Sequence, residues 1–142
     1  MGIRFLALFL LVLAAPLWAH ECTASEGAAA DAASDYWHSW PSLFAAYERY
    51  SQCDDGAIVE GFSDDIVHLL ASRWSTLGQA QRFISLRPAF RAFIIRHIDA
   101  TTDTDELLSV QRSATHHCPA SASSLCKQIA AAAKSAIAES YR

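Results

Sequence analysis

The sequence predicts an all-α protein, folded as a compact bundle of five to six helices with one or two disulfides. Apolar residues recur at intervals of three and four from Asp35 to Arg142, and no segment alternates with a period of two. Capping residues and prolines divide this region into segments of helical length. The segments are joined by short connections, which favour antiparallel packing of neighbouring helices.

The first nineteen residues have the composition of a secretory signal peptide. They read MGIRFLALFLLVLAAPLWA, with Arg4 ahead of an apolar run and with Pro16 and Ala19 at its end. The run is shorter than the roughly 20 apolar residues that span a bilayer, so no membrane span is expected after cleavage. Residues 20–34 lack bulky apolar side chains and are predicted to form a flexible leader, followed by a single helical domain over residues 35–142.

The first two predicted helices begin after recognisable start signals. Helix one covers about residues 35–53 and carries aromatic residues three, four and three apart, with Pro41 tolerated near its first turn. Asp54 or Asp55 is a good N-cap for helix two, which continues to about Trp74.

Prolines and caps delimit the other four predicted helices. Helix three follows Ser75 and ends near Arg87, because Pro88 disfavours helical geometry in the residue before it. Pro88 then begins helix four in PAFRAFIIRHID. Helix five starts at a threonine cap in TTDTDELL and ends before Pro119, and helix six is capped by Ser121.

Four cysteines remain after the predicted signal peptide: Cys22, Cys53, Cys118 and Cys126. An even number of cysteines in an exported chain favours disulfides, and a periplasmic or secreted location follows from the signal peptide. Four cysteines allow three connectivities, and their spacing does not choose among them.

Charge is divided unevenly along the chain. Residues 20–65 contain ten acidic residues and one arginine, whereas residues 66–142 contain nine basic and five acidic residues. The acidic total argues against nonspecific nucleic-acid binding, which requires Lys and Arg to neutralise phosphates.

Helix two has a polar, mostly acidic face opposite an apolar one. The polar residues at its start and along this face are Asp54, Asp55, Glu60, Asp64, Asp65 and His68. Three interpretations are open: a solvated face, a surface that binds a basic partner, or a metal site using Glu60, Asp64 and His68 at successive i, i+4 positions. No residue is predicted to bind a metal, because a convex helix surface does not bring ligands together.

Two arginines of the basic half, Arg87 and Arg91, lie four residues apart and could clamp a carboxylate or phosphate. They could equally cover apolar surface or pair with the acidic half of the chain. His97 lies within an apolar stripe and is predicted to be a neutral core histidine with one hydrogen-bond partner. No nucleophile, zinc or phosphate-loop motif is present, so no catalytic residue and no cofactor is predicted.

The segments CDDGAIVEGFSDD, RPAFRAFIIRHID and HHCPA, in this order between Cys53 and Pro119, resemble the small periplasmic immunity proteins that neutralise type VI secretion effectors. The resemblance implies an all-helical fold, dimers, no catalysis, and inhibition by binding a toxin. It also implies a structural disulfide from Cys53 to the C-terminal part at Cys118. Cys22 and Cys126 depart from the pattern.

Together these features predict a non-catalytic periplasmic protein-binding module, most concretely an immunity protein whose acidic helix-two face engages a basic toxin surface. The alternative prediction is a small helical periplasmic enzyme, or a binder of an anionic small ligand, that uses Arg87 and Arg91.

Overall fold

A computed structural model describes residues 21–142, which form seven α-helices and three short 3₁₀ turns without a strand. The helices are α1 (Ala24–Ser34), α2 (Trp40–Tyr50), α3 (Gly56–Ser72), α4 (Leu77–Leu86), α5 (Ala89–Arg96), α6 (Thr104–His116) and α7 (Ser123–Ser140). The all-α prediction is confirmed, with one helix more than expected. The predicted signal peptide lies outside the described residues. No helix within residues 21–142 is both long enough and apolar enough to cross a membrane.

The additional helix is α1, in the segment predicted to be a flexible leader. Thr23 Oγ1 accepts a hydrogen bond from the amide of Glu26, and the Glu26 carboxylate accepts one from the amide of Thr23, which together form a capping box. Ala30 is fully buried. The leader prediction is wrong because alanine is the best helix former, and its methyl group suffices for packing where two helices approach closely.

Local signals set most helix boundaries. Helix α2 begins at Trp40 rather than near Asp35, because Ser39 caps it and Pro41 occupies its first turn. The predicted aspartate cap of helix two is confirmed at Asp55, whose carboxylate accepts from the amide of Gly56 at 2.8 Å.

The last two helices begin at other residues than expected. Asp103 caps α6 by accepting from the amide of Glu106 at 2.9 Å, so the threonine cap is incorrect. Ser121 lies in the 3₁₀ turn Ala120–Ala122 and does not cap α7, which starts at Ser123.

Aromatic rings form the centre of the bundle. Trp37 stacks on Phe62 with ring centroids 4.3 Å apart, and Phe62 meets the edge of Phe93 at 4.9 Å. Phe44 stacks on Phe83 at 4.5 Å, which extends the cluster from α2 to α4. This core holds α3 against α2 and α5.

Two disulfides link neighbouring elements, Cys22 to Cys53 and Cys118 to Cys126. The implied Cys53–Cys118 pair is therefore wrong, although both cysteines are oxidised. Cys53 meets Cys22 because α1 packs back against α3, and Cys118 meets Cys126 because the turn between α6 and α7 reverses the chain.

Candidate functional site

An acidic cleft of about 810 Å³ opens on the surface where α3 meets α6. Its lining side chains are His38, Asp64, Asp65, His68, Arg73, Asp103 and Glu106. They come from the connection before α2, from α3 and the residue after it, and from the start of α6. Four carboxylates face one guanidinium, so the cleft is negatively charged whenever its histidines are neutral.

Two histidine–carboxylate pairs cross the cleft and join different elements. His38 Nδ1 lies 2.7 Å from Asp65 Oδ1, and His68 Nδ1 lies 2.7 Å from Glu106 Oε1. The hydrogen bond to Asp65 and the charge of that carboxylate raise the pKa of His38. Because Nδ1 is engaged in both rings, Nε2 is the atom through which either histidine can contact a bound molecule.

Asp64 lines the cleft close to several other carboxylates. Burial raises the pKa of Asp64, and the nearby carboxylates of Asp65, Glu106 and Glu60 raise that pKa further. Burial also raises the pKa of Asp65, although the hydrogen bond from His38 opposes this effect. A cation bound in the cleft would relieve the repulsion among these groups.

The predicted acidic face is only partly exposed. Asp55, Glu60, Asp64 and His68 are exposed, as expected of a surface that meets solvent or a partner.

Asp54 and Asp65 do not belong to that exposed face. Their side chains are only 7% and 11% exposed, so their placement on it is wrong. Asp65 lies at the edge of the polar sector, where His38 covers it, and Asp54 pairs with Arg96 and His97 at the end of α5.

Four of the seven residues that line the cleft are absent from the predicted site. His38, Asp103 and Glu106 lie outside the predicted helix two, and the pattern of one helix does not reveal which residues pack beside it. Arg73 lies at the end of that helix and was not assigned to its acidic face. The strongest available signal was the acidic start of α6, which places Asp103 and Glu106 within one turn of each other.

A second polar cluster is buried beneath α5. Ser63 Oγ donates to Asp99 Oδ2 at 2.8 Å, and the same oxygen lies 3.0 Å from His97 Nδ1. His97 Nε2 lies 3.2 Å from Asp54 Oδ2, which also accepts from Arg96 Nη2. Ser63 was not singled out by its sequence, because a lone serine among apolar positions of a helix carries no distinctive pattern.

The hydrogen-bond contacts around His97 require more protons than a neutral ring supplies. A serine hydroxyl has one proton and a neutral imidazole has one, so the contacts Ser63–Asp99, Ser63–His97 and His97–Asp54 share two protons among them. Burial lowers the pKa of His97, although the neighbouring Asp54 opposes this effect. The predicted neutral core histidine therefore has two polar neighbours rather than one.

The buried cluster contains serine, histidine and aspartate without access to a substrate. Ser63 is 1% exposed and His97 is 0% exposed. Asp54 Oδ1 is buried and finds no hydrogen-bond partner within residues 21–142. We therefore interpret the cluster as structural: it fastens the turn before α3 and the end of α5 to the middle of α3.

One of the two arginines in the predicted clamp, Arg87, already has a partner within the chain. Arg87 Nε donates to Glu48 Oε1 at 3.0 Å, so its charge is paired with the acidic half of the chain. The four clefts described on residues 21–142 are lined by other side chains than Arg87 and Arg91.

The described part of the chain contains no preformed metal site. Within residues 21–142, no group of three or more His, Cys, Asp or Glu side chains is placed to hold a metal ion. Glu60, Asp64 and His68 share one helix, and His68 is paired with Glu106 on another.

Comparisons with known proteins give no match: no protein family, no curated protein and no solved structure resembles the chain significantly. The likeness to immunity proteins therefore rests on the three quoted segments alone.

Proposed function

We propose that the protein is a non-catalytic binding module of the periplasm or the extracellular space, which engages a basic surface of a protein partner through the acidic cleft. The observation that carries this proposal is the cleft itself, where Asp64 lies among like charges that the lining does not neutralise. A lysine or arginine side chain of a partner supplies the missing charge.

The form of the cleft suits a protein better than a small metabolite. It is an open surface feature assembled from three elements, and Glu60 and Asp55 extend the negative charge along the exposed side of α3. Complementary charge over such an area accelerates encounter and orients the partner.

The finer proposal is that the partner is a toxic effector and that binding blocks it. The three segments that resemble immunity proteins support this proposal, and two disulfides are compatible with an exported protein. We do not advance the anionic-ligand alternative, because Arg87 is already paired with Glu48.

The test is affinity capture from cells of the source species, using the tagged oxidised protein and two charge-reversal variants. Asp64→Lys alters the cleft, whereas Glu139→Lys makes the same formal change at an exposed position outside its lining. We expect one stoichiometric protein partner that is released by high salt, because salt screens exposed charges.

The two variants test whether the cleft binds the captured partner. We expect Asp64→Lys to weaken the Kd for the captured partner by at least about tenfold and Glu139→Lys to change it by less than about twofold. Equal binding by Asp64→Lys and wild type would exclude the cleft. Recovery of the bait alone from expressing cells would count against the whole proposal.

A further inference from the structure

We propose that α1 is a strap which the Cys22–Cys53 disulfide holds against the bundle, and which reduction of this bond by a dithiol releases while α2–α7 stay folded. This inference does not depend on the proposed function. It concerns a conformational device built into the fold.

The side chains that α1 packs against the bundle are small. Ala30 is its one fully buried residue, and Ala29 and Ala33 are partly buried against the core. The largest buried side chains of the described chain, such as Trp40, Phe62 and Phe90, all belong to later helices. Because burial of a methyl group contributes far less than burial of an aromatic ring, α1 adds little to the core.

Two further contacts link α1 to the bundle. Gln52 Nε2 donates to Glu26 Oε1 at 3.4 Å, a long hydrogen bond. Near the other end of α1, Ser34 approaches Gly61 of α3 closely enough that an added Cβ would lie 3.6 Å from Ser34 Cβ. With 11 residues, α1 is also at the length where an isolated helix is only marginally stable in water.

The disulfide is therefore the strongest single attachment of α1. It lies at the start of the strap, since Cys22 precedes the capping residue Thr23 and Cys53 ends the turn before α3. Cys22 is exposed and Cys53 is 3% exposed, so a thiolate reaches the bond from the Cys22 side.

The exchange proceeds in two balanced steps. One thiolate of the dithiol attacks Cys22 Sγ, breaks the bond, and expels the Cys53 thiolate. The second thiol of the reductant, as its thiolate, then attacks the mixed disulfide and expels the Cys22 thiolate. Both cysteines take up a proton, and the dithiol leaves as its disulfide, having donated two electrons.

The second disulfide provides a matched comparison. Cys118–Cys126 links the turn after α6 to α7, and these two neighbouring helices bury larger apolar side chains, including Leu107, Leu125 and Ile129. Losing that bond leaves both helices with these side chains in the core, whereas α1 contributes only alanines.

The experiment is hydrogen exchange with mass spectrometry on the signal-cleaved protein and two variants, Cys22→Ser/Cys53→Ser and Cys118→Ser/Cys126→Ser. Dithiothreitol is the reductant, and in the second variant it acts on Cys22–Cys53 alone. We expect amides of Ala24–Ser34 to lose at least about tenfold protection in the first variant and in the reduced second variant. Amides of α3 and α6 should change by less than about threefold.

Two results would overturn the proposal. Protection of α1 in both states that lack the Cys22–Cys53 bond would show that packing alone holds the helix. Loss of protection throughout α2–α7 would show that the bond stabilises the whole fold instead of a detachable strap. The oxidised Cys118→Ser/Cys126→Ser variant should retain wild-type protection in α1.

Discussion

Replacing Ser63 with alanine removes one oxygen from the buried cluster and separates two interpretations of that residue. In the structure, Ser63 Oγ lies 3.0 Å from His97 Nδ1 and 2.8 Å from Asp99 Oδ2. If the serine only filled a small space in the core, Ser63→Ala would be neutral or stabilising, because it removes a polar group from an apolar site. If the serine fastens the cluster, the substitution leaves the buried Nδ1 of His97 without its hydrogen-bond partner.

The magnitude follows from the exposure of the two partners. His97 is 0% exposed, so no water can replace the lost serine hydroxyl, and an unsatisfied buried group costs about 1–3 kcal/mol. Asp99 is partly exposed, so water can satisfy its carboxylate. We therefore expect Ser63→Ala to lower the free energy of unfolding by about 2 kcal/mol, roughly a thirtyfold loss in the ratio of folded to unfolded protein.

Urea unfolding of the oxidised protein at pH 7.5, followed by circular dichroism, measures this change directly. Ser85→Ala is the matched control, because Ser85 is exposed and its hydroxyl, within residues 21–142, bonds to Gln81 of its own helix alone; we expect a change within about 0.5 kcal/mol. An unchanged slope against urea would show that the unfolded state is the same. A Ser63→Ala protein as stable as wild type would refute the reasoning.

Two further predictions concern pH and backbone conformation. Burial lowers the pKa of His97 below the value of about 6.5 that a histidine has in the unfolded chain. As the pH falls through about 6.5, the unfolded chain therefore binds this proton before the folded protein does, and the contribution of His97 to stability decreases. The stability lost between pH 7.5 and 5.5 should therefore be smaller in His97→Gln; an equal loss would contradict this. Gly56 has a φ of +53°, so Gly56→Ala should cost about 1 kcal/mol and lower Tm, whereas Gly78→Ala, on an exposed and unobstructed side of α4, should raise it. Shifts of the same sign would contradict this contrast.

The fold was predictable where its determinants are local. The Asp55 cap and the break at Pro88 act within one turn of the chain, so the sequence around them indicates where α3 begins and where α4 ends. Helix α1 was missed because its alanines carry no amphipathic pattern, and its anchor, Cys53, lies 31 residues from Cys22.

The cleft was predictable only on its α3 side. Asp64 and His68 follow from the helical period of that segment, but His38 and Glu106 reach them through tertiary packing. The burial of Asp65 has the same origin: the helical period places it at the boundary of the polar face, and another element decides whether solvent reaches it.

The adjacency of Cys53 and Asp54 has a mechanical consequence. Cys53 forms the disulfide to Cys22 in front of α1, and the next residue, Asp54, pairs through its carboxylate with Arg96 and His97. Force applied to the N-terminal segment is transmitted through the sulfur atoms to this point, so pulling on the chain from its beginning loads the base of α3 before it loads α2.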